Sequence, residues 1–140
     1  MLNLFSNAIK YNKPGGTIDT YAGEVSCDGT QVVYEFRITD NGIGMSSEFI
    51  EKELFHPFTQ EKSGARTQYR GTGLGMSIVK ELIEKMQGTI EVTSQQGVGT
   101  MYVFRLPFYI DCEGQRIQEV KTQIAGKELV RFHVLLVEDN

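Results

Sequence analysis

Fifteen of the 140 residues are glycine, and they cluster rather than scatter. Three clusters stand out: Gly42-Ile43-Gly44, Gly71-Thr72-Gly73-Leu74-Gly75 and Gly97-Val98-Gly99. Clustered glycine marks backbone that must turn tightly or come close to a ligand. Each cluster sits at the border of a patterned segment. The chain therefore has to fold so that several bare-backbone stretches lie where elements end.

The patterned segments set the fold class. Residues 1–11 carry Leu2, Leu4, Phe5, Ala8 and Ile9 at mixed helical spacing and read as an amphipathic helix. Pro14-Gly15-Gly16 stops it. No capping residue precedes it, which suggests a helix cut from a longer one. Residues 17–25 and 31–39 are strand-like runs about the turn Cys27-Asp28-Gly29-Thr30. Ser46 or Ser47 caps a short helix over 47–54, closed by Phe55-His56-Pro57-Phe58. Residues 59–70 are polar and read as a mobile, net basic loop. A helix over 76–86 follows, with Leu74, Ile78, Val79, Leu82, Ile83 and Met86 on one face and Gly88 as its stop. Strands at 89–94 and 100–106 flank a turn, and Pro107 ends the second. Elements of one kind are grouped rather than alternating, so the expected class is α+β: a two-layer sandwich with helices on one face of a mixed sheet.

Composition removes several functions. A net charge of −4 disfavours a nucleic-acid binder, which needs clustered Lys and Arg. No apolar run reaches the roughly 20 residues that span a bilayer, so no membrane contact by this segment is expected. Cys27 and Cys112 lie far apart and form no C-x-x-C pair. A disulfide framework or zinc site is not expected, and a reducing cytoplasm is the default location.

Three constellations carry chemistry. Asp40-Asn41-Gly42-Ile43-Gly44-Met45 puts a carboxylate at a strand end, followed by glycine-flanked backbone. It is either an ordinary Asp-Asn-Gly turn or a place where a carboxylate accepts from an amino group while bare backbone packs on a flat ring. Gly71 to Gly75 opens a helix, and exposed N–H groups at a helix start bind phosphate. It is neither a P-loop nor a dinucleotide fingerprint, since no G-x-x-x-x-G-K-[ST] is present and Met76 replaces the third glycine. Asn3, Asn7, Lys10 and Tyr11 form a polar stripe on the first helix. The stripe is either a solvated face or a set of groups for a hard cation and a phosphate: amide oxygen for Mg²⁺, Lys for phosphate.

In this order the motifs resemble those of the ATP-binding catalytic domain of sensor histidine kinases, within the gyrase–chaperone–kinase–mismatch-repair ATPase superfamily and its Bergerat-type fold. Residues 3–11 resemble its N box, 40–45 its first glycine box, 55–58 its F box, 71–75 its second glycine box, and Gly97-Val98-Gly99-Thr100 its closing G-x-G-T. The resemblance implies ATP and Mg²⁺ as cofactors and assigns roles. Asn7 would hold Mg²⁺ and Asn3 would order that metal or its water. Lys10 would reach the phosphates, and Tyr11 would pack near adenine or ribose. Asp40 would accept from the adenine amino group, with Gly42, Ile43, Gly44 and Met45 close to the purine and Thr100 supporting from the strand opposite. Residues 59–70 would be a lid anchored by Phe55 and Phe58, with Lys62 or Arg70 touching the triphosphate. Gly71, Thr72, Gly73, Leu74 and Gly75 would present helix N–H groups to it.

The same resemblance bounds the domain at 1–108, leaving 109–131 as linker. The run Val134-Leu135-Leu136-Val137-Glu138-Asp139-Asn140 resembles the opening strand of a receiver domain, so 132–140 would start one and the parent would be a hybrid kinase attached, in some cases, to the inner membrane. Neither His56 nor His133 sits in the helical context of a phosphoacceptor, so no catalytic residue is expected in this chain. Implied partners are the dimerisation domain bearing the acceptor histidine and a receiver domain or response regulator. The family also has strands ahead of its N-box helix, so the resemblance implies a sheet with an unpaired edge, and a homodimer through that edge is a further option. Two alternatives stay open: a non-catalytic nucleotide-binding scaffold, or a hydrolysing ATPase of the same superfamily. The hydrolases place a Glu base on the N-box helix, where this chain has Asn3.

Overall fold

A computed structural model describes residues 1–61 and 71–110. The elements are α1 (Leu2–Lys10), β1 (Ile18–Cys27), β2 (Gln31–Asp40), α2 (Ser47–Lys52), α3 (Gly75–Lys85), β3 (Thr89–Gln95) and β4 (Gly99–Tyr109). The strands form one sheet in the order β1-β2-β4-β3. All three pairings are antiparallel, so among the described residues the sheet is not mixed. Each hairpin pairs antiparallel, and the helical crossover from β2 through α2 and α3 returns β3 parallel to β2, but β4 sits between those two strands, so no neighbouring pair is parallel.

The first hairpin turns where expected. Asp28 Oδ1 accepts from the backbone N–H of Thr30 at 2.8 Å and of Gln31 at 2.7 Å. Strand β1 has a single neighbour and forms one long edge. A register shift between Glu24 and Ser26, together with exposed Asp19 and Glu24, blunts that edge.

One face of the sheet carries the core. Ile38 lies opposite Tyr102, and Phe36 opposite Phe104, their rings stacked at 5.0 Å. Ile38, Tyr102 and Phe104 are buried against Leu4 and Ala8 of α1, Phe49 of α2 and Met76, Val79 and Ile83 of α3. The opposite face is charged: Glu35 bonds Arg105 of the neighbouring strand at 2.7 Å and Arg37 at 2.9 Å, and Arg105 reaches Glu91 of β3.

Three expectations change. The buried face of α3 is Met76, Val79 and Ile83, whereas Ile78, Leu82 and Met86 are exposed. The helix meets β3 and α1 along a narrow seam, so its second apolar stripe is left outside. Strand β4 runs through Pro107, which pairs with Val33. Strand β3 begins at Thr89, opposite Arg105, so Pro107 lies beyond the β3 ladder on an edge where a missing N–H is tolerated. At the end of α3 the left-handed residue is Gln87 (φ 58°), with Gly88 N–H donating to Ile83 O at 2.8 Å. Glycine stands at 88 because a Cβ there would sit 2.4 Å from Arg105 O.

A non-glycine left-handed residue costs about 1 kcal/mol. Gln87→Gly should therefore raise stability by roughly 0.5–1 kcal/mol in chemical denaturation, whereas Gly88→Ala should lower it. Hydrogen bonds from Arg37 and then Arg105 hold the Glu35 carboxyl below the usual range. A depressed carboxylate stabilises the fold above its unfolded value, and that contribution disappears as pH falls through the folded value. The melting-temperature gap between wild type and Glu35→Gln should thus be widest near neutrality and close as pH falls through the lowered folded value.

Candidate functional site

The first glycine box leaves the end of β2 and is fixed by polar contacts on both sides. Ile43 N–H donates to Tyr11 O at 3.0 Å, and Ile43 O accepts from Gly97 N–H at 2.8 Å. That single residue ties the end of α1 to the β3–β4 turn. Gly44 has φ +65°, and a Cβ on it would lie 1.9 Å from Gln95 O. Both the conformation and the space demand glycine there, and what presses on it is this chain's own backbone. Asp40 is buried, and its Oδ1 accepts from Gly42 N–H at 2.9 Å.

The second glycine box packs on the F-box knuckle. Gly73 has φ +72°, and a Cβ there would meet Phe58 C at 2.7 Å. Phe58 N–H donates to Gly73 O at 3.1 Å. Phe58 itself is left-handed (φ 64°) and 76% exposed. It is held by backbone rather than by burial, so the anchoring aromatic of this segment is Phe55, which packs on the core under Lys80 Nζ at 5.2 Å. Thr59 Oγ1 lies 2.7 Å from both Glu53 O and His56 O and closes the knuckle. Gln60 Nε2 donates to Gly71 O. Glu61 Oε1 accepts from Ser46 N–H at 2.9 Å and Gln96 Nε2 at 3.1 Å.

Between these parts lies a hollow of about 200 Å³. Asn7, Lys10 and Tyr11 of α1 line one side, and Gly71, Thr72, Gly73 and Gly75 line another. Met45 and Tyr102 line it from the sheet side, with Phe49, Leu54, Thr59, Gln60, Glu61 and Met76 completing it. Lys10 Nζ lies 5.1 Å from the Tyr11 ring centroid and 3.2 Å from where a Gly71 Cβ would be. An ammonium and the start of α3 therefore face the same space. Helix α3 has no side-chain cap, unlike α2, whose first turn is closed by Ser46 Oγ accepting from Phe49 N–H. Uncapped first-turn N–H groups suit an anion.

The residues singled out from sequence divide into two groups. Asn7, Lys10, Tyr11, Met45, Gly71, Thr72, Gly73 and Gly75 share the hollow. Asn3, Asp40, Gly42, Ile43, Gly44, Phe58, Leu74 and Thr100 do not line it, and Arg70 falls outside the described residues, as do Lys62, Cys112 and His133. Asp40 and Thr100 lie directly opposite each other, one step along the same sheet face from Tyr102 and Ile38. Asn3 Nδ2 donates to Gly75 O at 3.3 Å, so in this structure it joins α1 to the start of α3. The motif spacing missed Tyr102, Phe49, Leu54 and Met76, which are core residues that also face the hollow. Tyr102 was within reach, since period-two alternation from Thr100 puts it on the same face. Thr59, Gln60 and Glu61, the start of the segment read as a lid, line the hollow, and the rest of that segment lies outside the described residues.

No described group of three or more His, Cys, Asp or Glu side chains could hold a metal ion. Mg²⁺ keeps several waters and takes one or two protein oxygens beside substrate phosphates. Asn7 offers such an oxygen in the hollow.

The sequence profile of the histidine kinase-, DNA gyrase B- and HSP90-like ATPase family matches residues 1–110. The autoinducer 2 sensor kinase/phosphatase LuxQ of Vibrio harveyi is 38% identical over 143 residues, covering 100% of this chain and 16% of that protein. Hybrid signal transduction histidine kinase B of Dictyostelium discoideum is 40% identical over 107 residues, covering 76% of this chain and 5% of its own length. The chain thus spans only a small part of the curated relatives it matches. Among solved structures, the mycobacterial sensor histidine kinase MprB superposes with a TM-score of 0.59 at 29% identity, over 76% of this chain and 66% of that one. Full-length ShkA in complex with AMPPNP gives 0.56 at 28% identity, over 79% of this chain and 21% of that one. The α+β fold, the boxes and the profile agree: the chain belongs to the histidine kinase-, DNA gyrase B- and HSP90-like ATPase family, as an ATP-binding catalytic domain of the sensor histidine kinase type.

Proposed function

We propose that this chain binds Mg·ATP and presents its γ-phosphoryl group to a histidine on an adjoining dimerisation domain of a hybrid sensor kinase. The observation that carries this is the convergence of Asn7, Lys10 and the uncapped start of α3 on one hollow. Phosphoryl transfer needs positioning and charge neutralisation more than covalent help from the protein. Bound Mg²⁺ would supply most of that neutralisation. Lys10 and the N–H groups of residues 71–75 hold the phosphates, and Asn7 orients the metal through its amide oxygen. Asp40 and Thr100 take the base end, with Gly42, Ile43 and Gly44 fixing them in place, and Met45 and Tyr102 giving the base an apolar and aromatic surface. Arg70 would join the phosphate contacts from the segment between Glu61 and Gly71.

The relatives' names, sensor and hybrid kinases, support a multidomain assembly. The exposed stripe Ile78, Leu82 and Met86 on α3 begins beside the second glycine box and suits an apolar helical partner bearing the acceptor. Residues 1–110 would be the catalytic domain, and the segment beyond would lead to a receiver. A hydrolysing ATPase is disfavoured because the α1 turn that would carry a base holds Asn3, whose amide is engaged with Gly75 O.

Calorimetric titration of ATP with Mg²⁺ into the chain should show binding, and Asp40→Ala should weaken it about tenfold or more, the cost of one charge-assisted hydrogen bond. Equal heats in both proteins would remove the adenine assignment. Chelating Mg²⁺ should weaken ATP binding in wild type and change it little in Asn7→Ala. Labelled ATP should phosphorylate an added histidine-bearing dimerisation domain, with negligible phosphate release from the chain alone; steady release without the acceptor would favour the hydrolase.

A further inference from the structure

Ser94 lies near the end of β3, directly opposite Thr100 of β4, and Thr100 lies opposite Asp40 of β2. Residues directly opposite share a face, so the three form one row across the sheet on its core side. No sequence motif reached Ser94. Its hydroxyl makes three contacts. It accepts from Met45 N–H at 2.8 Å, donates to Gly99 O at 2.8 Å, and lies 2.9 Å from Thr100 Oγ1.

A serine hydroxyl has one proton and two lone pairs. Gly99 O can only accept, so that contact takes the Ser94 proton. The Met45 amide fills one lone pair. The second lone pair is left for Thr100, whose hydroxyl must therefore donate. This assignment satisfies all three contacts at once. It also has a consequence for Thr100: its only proton is committed to Ser94, and its oxygen can face a ligand only as an acceptor. Asp40, next in the row, is a carboxylate and accepts as well. The row then offers acceptors and no hydrogen-bond donor from these two side chains.

We propose that Ser94 is a positioning residue for base choice, making the Asp40–Thr100 row accept-only so that the site takes a purine with an amino group at its six position and rejects one with an oxo group. This rests on the nucleotide assignment above and deepens it: Ser94 acts through Thr100 and does not itself touch the base. The same hydroxyl also holds Met45, which lines the hollow. Discrimination of this kind is strong because the wrong base leaves buried acceptors facing an acceptor.

The test measures affinity of the 140-residue chain for Mg·ADP and Mg·GDP in wild type, Ser94→Ala, Ser94→Cys and Ser94→Thr. Cysteine keeps the size with a weak hydrogen bond, so it serves if alanine impairs folding. Wild type should prefer ADP. Ser94→Ala and Ser94→Cys should lower the ADP-to-GDP affinity ratio about tenfold, because the released Thr100 proton can meet the oxo group. Ser94→Thr should restore the ratio. Phe104→Leu, a core change away from the row, should reduce thermal stability and leave the ratio alone. An unchanged ratio in both Ser94→Ala and Ser94→Cys overturns the proposal, even if both nucleotides bind more weakly. If wild type binds neither nucleotide, the nucleotide assignment itself falls and this inference with it.

Discussion

The pairing of β2 with β4 sets everything else. It runs in one register from Gln31–Tyr109 to Asp40–Thr100. That register puts Ile38 beside Tyr102 and Phe36 beside Phe104 on the core side, with Glu35 beside Arg105 on the other. A slip of one residue would turn the aromatic side chains to solvent and bring the charged ones into the core. The Phe36–Phe104 stack, worth about 1 kcal/mol beyond its buried area, and the Glu35–Arg105 pair both oppose such a slip. The ladder ends with the row of Asp40 and Thr100, so the polar pair beside the candidate site is placed by the same constraint that builds the core.

Helix α1 carries Asn7 and Lys10, and its position relative to that row is set at its two ends. At its C-terminal end, Tyr11 O accepts from Ile43 N–H of the first glycine box. At its N-terminal end, Asn3 bonds Gly75 O at the start of α3. Buried Leu4 and Ala8 fill the middle against the sheet. Polar contacts therefore fix the helix along its axis and apolar ones fix its depth. A shift of α1 would displace the amide and the ammonium together and would break contacts with both glycine boxes.

Periodicity and turn chemistry made most of this legible. The Asp-Gly hairpin, the Ser46 cap and the two strand pairs lie where local rules put them, because each is decided by a few adjacent residues. What escaped depends on contacts distant in sequence. The apolar spacing of α3 fits two stripes, and only its packing on β3 and α1 selects Met76, Val79 and Ile83 over Ile78, Leu82 and Met86. Gly88 looks like a helix stop, yet the left-handed turn falls on Gln87, and Gly88 is glycine because the carbonyl of Arg105 leaves no room there for a Cβ. The glycine boxes were visible as boxes, but Gly44 and Gly73 are glycine because Gln95 and Phe58 press on them. Ser94 has no local signature; its partners are Met45, ahead of α2, and Gly99 and Thr100 at the start of β4.

The two glycine-bounded helix starts show how one motif type serves opposite ends. Helix α2 begins after the first box with its first turn closed by Ser46, and Glu48 lies in that turn. A closed, acidic turn does not favour an anion. Helix α3 begins after the second box with no side-chain cap and no acidic residue in its first turn. Its positive end is left for a ligand's negative charge, and Lys10 faces the same space. Donors from α3 and Lys10 therefore face the hollow, while Asp40 and Thr100 lie outside its lining, one step along the sheet from Tyr102. A nucleotide bound as proposed would direct its phosphates toward α3 and Lys10 and its base toward that row.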